Sequence, residues 1–100
     1  MEEKVFLEKE EKGGRWVVER DGNRQAEMTF VHAGPDKIII DHTEVKEGNN
    51  GRGYGKLLFI EMVNMARSQG LKVIPLCPFA LSMFKKNEEY GDVWDGVNNK

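Results

Sequence analysis

One hundred residues, 39% hydrophobic and 32% charged, describe a folded chain with room for one core and exclude a disordered or multidomain protein. A formal net charge of −2 argues against general nucleic-acid binding, which needs a concentrated basic surface, and no apolar run approaches the ~20 residues of a membrane span. The acidic start Met1-Glu2-Glu3 is unlike a signal peptide, and the single cysteine, Cys77, has no internal disulfide partner, so a reducing, cytoplasmic location is expected.

The first 45 residues read as strands separated by turns. Val5 to Lys9 is a short strand ended by a turn at Lys12-Gly13-Gly14, and Arg15 to Arg20 is the next strand. Asp21-Gly22-Asn23 is a strong hairpin signal. Gln25 to Val31 alternates, with Ala26, Met28 and Phe30 on one face and Glu27 and Thr29 on the other. Ala33-Gly34-Pro35-Asp36 turns the chain into Lys37–Val45, whose unbroken Ile38-Ile39-Ile40 predicts a strand covered on both faces. From Gly53 the period becomes helical: Leu58, Met62, Met65, Ala66 and Gln69 form a stripe widened by Leu57, Phe59 and Val63, and Gly70 supplies the stop. Leu71 to Leu76 is a short apolar strand, placed parallel to Lys37–Val45 by the intervening crossover helix. Phe79 to Lys86 predicts a second helix, and Glu88 to Trp94 a last helical turn that docks Tyr90, Val93 and Trp94. The expectation is one domain over 1–95, a mixed α+β fold, with 96–100 a frayed tail.

The junction between Lys37–Val45 and the first helix carries the most chemistry. Gly51-Arg52-Gly53-Tyr54-Gly55-Lys56 offers backbone N–H groups uncovered by side chains, at a helix start that adds its own unpaired donors and the positive end of its dipole. Such a turn cradles a phosphate or pyrophosphate. The Walker loop does not fit, because Asn50 stands at its first glycine and Leu57 at its hydroxyl position. The dinucleotide fingerprint does not fit either: it would need glycine at Lys56 or Leu58, and the loop follows four antiparallel strands.

The segment resembles the GNAT superfamily of acyl-CoA-dependent N-acyltransferases, whose motif is Gln/Arg-x-x-Gly-x-Gly/Ala. Gly53-Tyr54-Gly55 matches its last three positions, and Asn50 stands where Gln or Arg is usual. The His42-Thr43 pair before the loop and Cys77 after the next strand are similar to a short-form subfamily of about this size, over residues from about 25 to 94. The resemblance implies a GNAT-like mixed sheet: four antiparallel strands, the CoA-binding helix, a parallel strand and a C-terminal helix. It implies acetyl-CoA as cofactor, held by Asn50, Gly51, Arg52, Gly53, Tyr54, Gly55 and Lys56 at its phosphates and by the backbone of Thr43 and Val45 along pantetheine. It also implies transfer of an acetyl group to an amine acceptor, a small molecule or a protein amine.

Three side chains are candidates for the chemistry, and no metal-ligand set is expected. Cys77 is expected at the C-terminal end of the last strand, where ligands of open sheets collect. There it would accept the acetyl group or protonate the leaving thiolate, whereas a free cysteine is otherwise a small buried hydrophobe. His42, expected on the face of Ile38 and Ile40, could take a proton from the amine or from Cys77, or be structural; Glu44 is the alternative base. Tyr54 is expected to cover the cofactor or pack on the second helix. Two other readings stay open: a CoA-binding module without catalysis, and an interaction domain with no nucleotide ligand. A second copy completing so small an acceptor face would make a homodimer.

Overall fold

In the computed structural model, which describes residues 3–46, 48 and 53–96, the chain forms a five-stranded sheet in sequence order. The strands are β1 (Glu3–Glu10), β2 (Gly13–Arg20), β3 (Asn23–His32), β4 (Lys37–Val45) and β5 (Lys72–Pro75). The first four pair antiparallel in a meander, and β5 lies parallel to β4. Helix α1 (Tyr54–Gln69) makes the crossover between them, and α2 (Pro78–Lys86) and a 3-10 helix (Glu88–Val93) follow β5. The mixed α+β fold expected from the sequence is therefore the fold observed. The tail at 97–100 lies outside the described residues.

Local chemistry explains most of the element boundaries. Arg20 pairs with Asn23 across Asp21-Gly22, both at positive φ (52° and 85°), which is the backbone twist a two-residue hairpin requires. The other predicted turn is displaced. Glu10 pairs with Gly13, so Glu11-Lys12 make the turn and the glycines belong to β2. A Cβ on Gly13 would come within 2.1 Å of the Phe30 carbonyl oxygen, so this position serves close strand approach.

The core lies between the sheet and α1. Leu58, Phe59, Met62, Val63 and Ala66 of α1 are buried against Trp16, Val18, Ala26, Met28, Phe30, Ile38 and Ile40. Leu57 and Met65 are only partly buried and Gln69 is exposed, so the buried stripe is shifted toward Phe59 and Val63 relative to the predicted one. The Ile38-Ile39-Ile40 run is fully covered on one side only: Ile38 and Ile40 are completely buried, whereas Ile39 is half-buried opposite the exposed Val31. That second face carries an ion-pair lattice in which Arg15 reaches Glu8, Glu10 and Glu27, while Arg24 pairs with Glu8 and Glu27.

Aromatic rings join the C-terminal elements to α1. Phe59 meets Phe84 of α2 at 4.9 Å and Tyr90 at 5.2 Å between ring centroids, both edge to face, and Phe84 stacks on Trp94 at 5.5 Å. Arg67 of α1 donates to both carboxylate oxygens of Asp92, at 2.9 and 2.8 Å, and to the Glu89 carbonyl at 2.7 Å. This guanidinium contact holds the Asp92 carboxyl below the usual carboxylate range. A depressed carboxylate stabilises the fold at pH above its unfolded value, and that contribution disappears as pH falls through the folded value. The melting temperature of Asp92→Asn should therefore lie slightly below that of the parent near neutrality, with the gap closing in acid. A gap that persists in acid would mean that the carboxylate charge is not what holds the 3-10 helix.

Candidate active site

Strand β4 is longer than its parallel partner, and this difference makes the site. Pairing with β5 ends at Ile40 opposite Pro75, while β4 continues to Val45. At the divergence Leu76 and Cys77 both donate their N–H groups to the Ile40 carbonyl, at 3.0 and 3.1 Å, which turns the chain away from β4 into α2. On the other side β4 stays paired with β3. Lys46 donates to the Gln25 carbonyl at 2.8 Å, so by strand alternation Glu44 and His42 direct their main-chain groups at β3. Thr43 and Val45 direct theirs at the gap that β5 has left. These are the two residues expected to hold pantetheine.

A bulge at Asp41 decides which side chains face where. Phe30 pairs with Ile40 and Thr29 with His42, leaving Asp41 as the extra residue, its carboxylate bonded to the Thr29 hydroxyl. One inserted residue reverses the alternation. The sequence reading put His42 on the buried face of Ile38 and Ile40; the bulge puts His42 and Glu44 on the opposite, outer face, beside Glu27 and Thr29. Thr43 and Val45 take the inner face instead, paired with the buried Met28 and Ala26.

The candidate side chains consequently form two groups. On the outer face, His42 Nε2 lies 3.5 Å from Glu44 Oε1, and both are exposed. Glu27 sits directly opposite Glu44, and one donor atom from each of Glu27, His42 and Glu44 falls within 4.8 Å of the others. This is the donor set a cation would find, although Glu27 is already shared by Arg15 and Arg24. A groove of about 620 Å³ opens at this end of β3 and β4, lined by Arg24, Gln25, Ala26, Glu27, Glu44, Val45 and Lys46. On the inner side, Cys77 is buried and its Sγ lies 3.0 Å from the Thr43 hydroxyl. The same sulfur accepts the Ala80 N–H at 3.4 Å and so caps α2, a contact the sequence reading missed although Cys77-Pro78 marks a helix start with proline in its first turn. His42 and Cys77 therefore lie on opposite sides of β4, and the described polar contacts of the Cys77 sulfur are with Thr43 and Ala80.

The glycine junction is described from Gly53 onward; Asn50, Gly51 and Arg52 lie outside the described residues. Gly53 is the N-cap of α1 at φ 78°, a left-handed conformation, and makes no side-chain cap. Among the described residues nothing stands within 4 Å of where its Cβ would be. The first intrahelical bond runs from the Leu57 N–H to the Gly53 carbonyl at 3.0 Å, so the helix itself satisfies neither the Gly55 nor the Lys56 N–H. A helix start that begins at a glycine and has no side-chain cap from it fits a diphosphate. Gly55 plays a different part: a Cβ there would lie 2.9 Å from the Phe79 ring, so its lack of a side chain lets α2 approach α1. The Tyr54 ring is buried, its hydroxyl donating to Glu3 at 2.7 Å and accepting from Arg20 at 3.3 Å, so the ring points under the sheet toward β1 and β2. Lys56 is exposed.

Comparison with known proteins agrees with this geometry. Residues 15–93 match the GCN5-related N-acetyl-transferase family. A GCN5-like protein from Staphylococcus aureus, solved in solution by NMR, is 33% identical, covers 93% of this chain and 90% of its own, and superposes with a TM-score of 0.72. A Bacillus subtilis acetyltransferase crystallised with CoA shares the fold at 16% identity and TM-score 0.66, over 85% of this chain and 74% of its own. Ribosomal-protein-alanine N-acetyltransferase from Brucella melitensis also shares it, at 17% identity and TM-score 0.66; the match covers 77% of this chain and 62% of the Brucella one. No curated protein sequence matches. With a strand divergence beside Thr43 and Cys77, an open helix start at Gly53 and a family match over most of its length, the chain belongs to the GCN5-related N-acetyltransferase family.

Proposed function

We propose that the protein transfers an acetyl group from acetyl-CoA, the cofactor its family uses, to an amine acceptor that approaches from the outer face of β4. The observation that carries this reading is the termination of β5 at Pro75 beside a β4 that runs on to Val45, with Thr43 and Cys77 flanking the gap. Bound acetyl-CoA supplies the thioester that an amine can attack. The protein's own residues then divide the work. The main chain of Thr43 and Val45 holds the pantetheine amides, and the N–H groups of Gly55 and Lys56 hold the diphosphate. On the outer face Glu44, backed by His42, takes the proton that the attacking nitrogen must lose. On the inner side Cys77, oriented by Thr43 and Ala80, is placed to give a proton to the departing sulfur.

Separate mutants test the division of roles. With acetyl-CoA and a broad panel of amines, Glu44→Gln should lower kcat by about 10²–10⁴-fold with CoA affinity unchanged, the span of a lost general base. His42→Asn should act in the same direction more weakly. Cys77→Ala should slow turnover without abolishing it, and intact-mass analysis of the parent incubated with acetyl-CoA should find no acetyl group on Cys77. An acetylated Cys77 together with an inactive Cys77→Ala would replace direct transfer by a covalent route. CoA binding without turnover on any amine would reduce the protein to a CoA-binding module.

A further inference from the structure

The outer edge of β1 is the longest open strand edge among the described residues, and its sequence is complementary to itself. Main-chain parity can be read across the sheet. His32 donates its N–H to the Lys12 carbonyl at 2.8 Å, so in the same ladder Gly14, Trp16 and Val18 face β3, while Arg15 and Val17 face β1. In the unbroken β1–β2 register, Phe6 pairs with Val17 and Glu8 with Arg15, so Lys4, Phe6 and Glu8 turn their main-chain groups inward. Glu3, Val5, Leu7 and Lys9 turn theirs to the open edge. An unpaired edge of eight residues with a half-buried Val5-Phe6-Leu7 centre is a template for another strand.

We infer that this edge pairs with the β1 edge of a second copy, antiparallel about a two-fold axis at Phe6, to make a continuous ten-stranded sheet. In that register Val5 faces the partner's Leu7, Lys4 faces the partner's Glu8, and Glu3 faces the partner's Lys9, so each charged side chain from 3 to 9 meets its opposite. Only residues with outward main-chain groups can exchange hydrogen bonds, and this register matches them: Val5 with Leu7, and Glu3 with Lys9. Registers displaced by an odd number of residues break that match. The register centred on Leu7 keeps it but sets Phe6 against Glu8 and Val5 against Lys9. Phe6 falls at a position without ladder bonds, where opposed side chains are closest, so the two rings meet at the axis. Val5 and Leu7 lie on the α1 face, next to Val18 and Trp16, and each would gain an apolar neighbour across the axis. The interface is isologous and closes at two copies.

Sedimentation equilibrium of the full chain over a concentration series should give a monomer–dimer equilibrium. Lys4→Glu sets a carboxylate against Glu8 twice in each dimer and should weaken association about tenfold. Val5→Pro deletes an outward N–H while leaving the ladder to β2 intact, and should weaken it as well. In a mixture of carbon-13-labelled and unlabelled parent, a cross-copy NOE between the two Phe6 Hα atoms should appear, an experiment that needs no variant to fold. A chain that stays monomeric at every concentration overturns the inference. So does a dimer whose affinity both variants leave unchanged, or one without the Phe6 contact.

Discussion

Phe59→Ala is expected to cost about 3–5 kcal/mol, the range for removing a fully buried aromatic ring. Against a total stability of ~5–15 kcal/mol, a loss of that size leaves a small domain close to unfolding. The reason is specific to this fold. Phe59 is completely buried and is the ring at which α1 meets both Phe84 of α2 and Tyr90 of the 3-10 helix. Its removal also loosens the elements that position Cys77. Urea denaturation followed by circular dichroism gives the number. A loss below about 1 kcal/mol, the size of an ordinary point mutation, would show that the C-terminal elements are held elsewhere, with the Arg67–Asp92 contact the first place to look.

Gly53→Val should lower CoA affinity by roughly ten- to a hundredfold while the protein stays folded. Gly53 sits at φ 78°, a conformation that costs a non-glycine residue about 1–2 kcal/mol, and more when the side chain is β-branched. Among the described residues no atom lies within 4 Å of the new Cβ, so the described core is undisturbed and the change acts at the helix start. There the backbone must either stay strained or rotate, and rotation re-aims the donors that follow. Losing one hydrogen bond to a charged group, at about 1.5–3 kcal/mol, gives the expected loss of affinity. Calorimetric titration with CoA against the parent measures it directly. Unchanged affinity would remove the glycine junction from the binding site.

How much of this was legible beforehand depended on the range of the physics involved. The presence of α1, the Asp21-Gly22 hairpin, the Gly70 stop and the crossover to β5 are set by local periodicity and backbone preference and are legible in the chain, although the buried stripe of α1 is shifted from the expected one. The helix start at Gly53 is legible for the same reason, because a glycine accepts the left-handed backbone that this N-cap adopts. Three features were misread because each depends on a distant partner. Gly13 looked like part of a turn, but it lies in β2 because Phe30 of β3 presses on it. Tyr54 was expected against the cofactor or the second helix, and its hydroxyl is claimed by Glu3 and Arg20, far away in sequence. The face of His42 was wrong because a bulge is a property of two strands in register, and nothing in Ile40-Asp41-His42 alone announces it. The capping role of Cys77 was within reach, since a helix beginning at Pro78 needs an acceptor just before it.

The extra residue at Asp41 has a consequence for how one strand serves two purposes. Before it, β4 sends its alternate aliphatic side chains down to the helix; after it, the same parity sends an imidazole and a carboxylate up into water. A uniform strand would have had to choose between anchoring and reactivity along its whole length. The half-step divides those duties by position, so that a nucleophile entering from above and a sulfur departing below would meet different chemistry across the thickness of a single backbone.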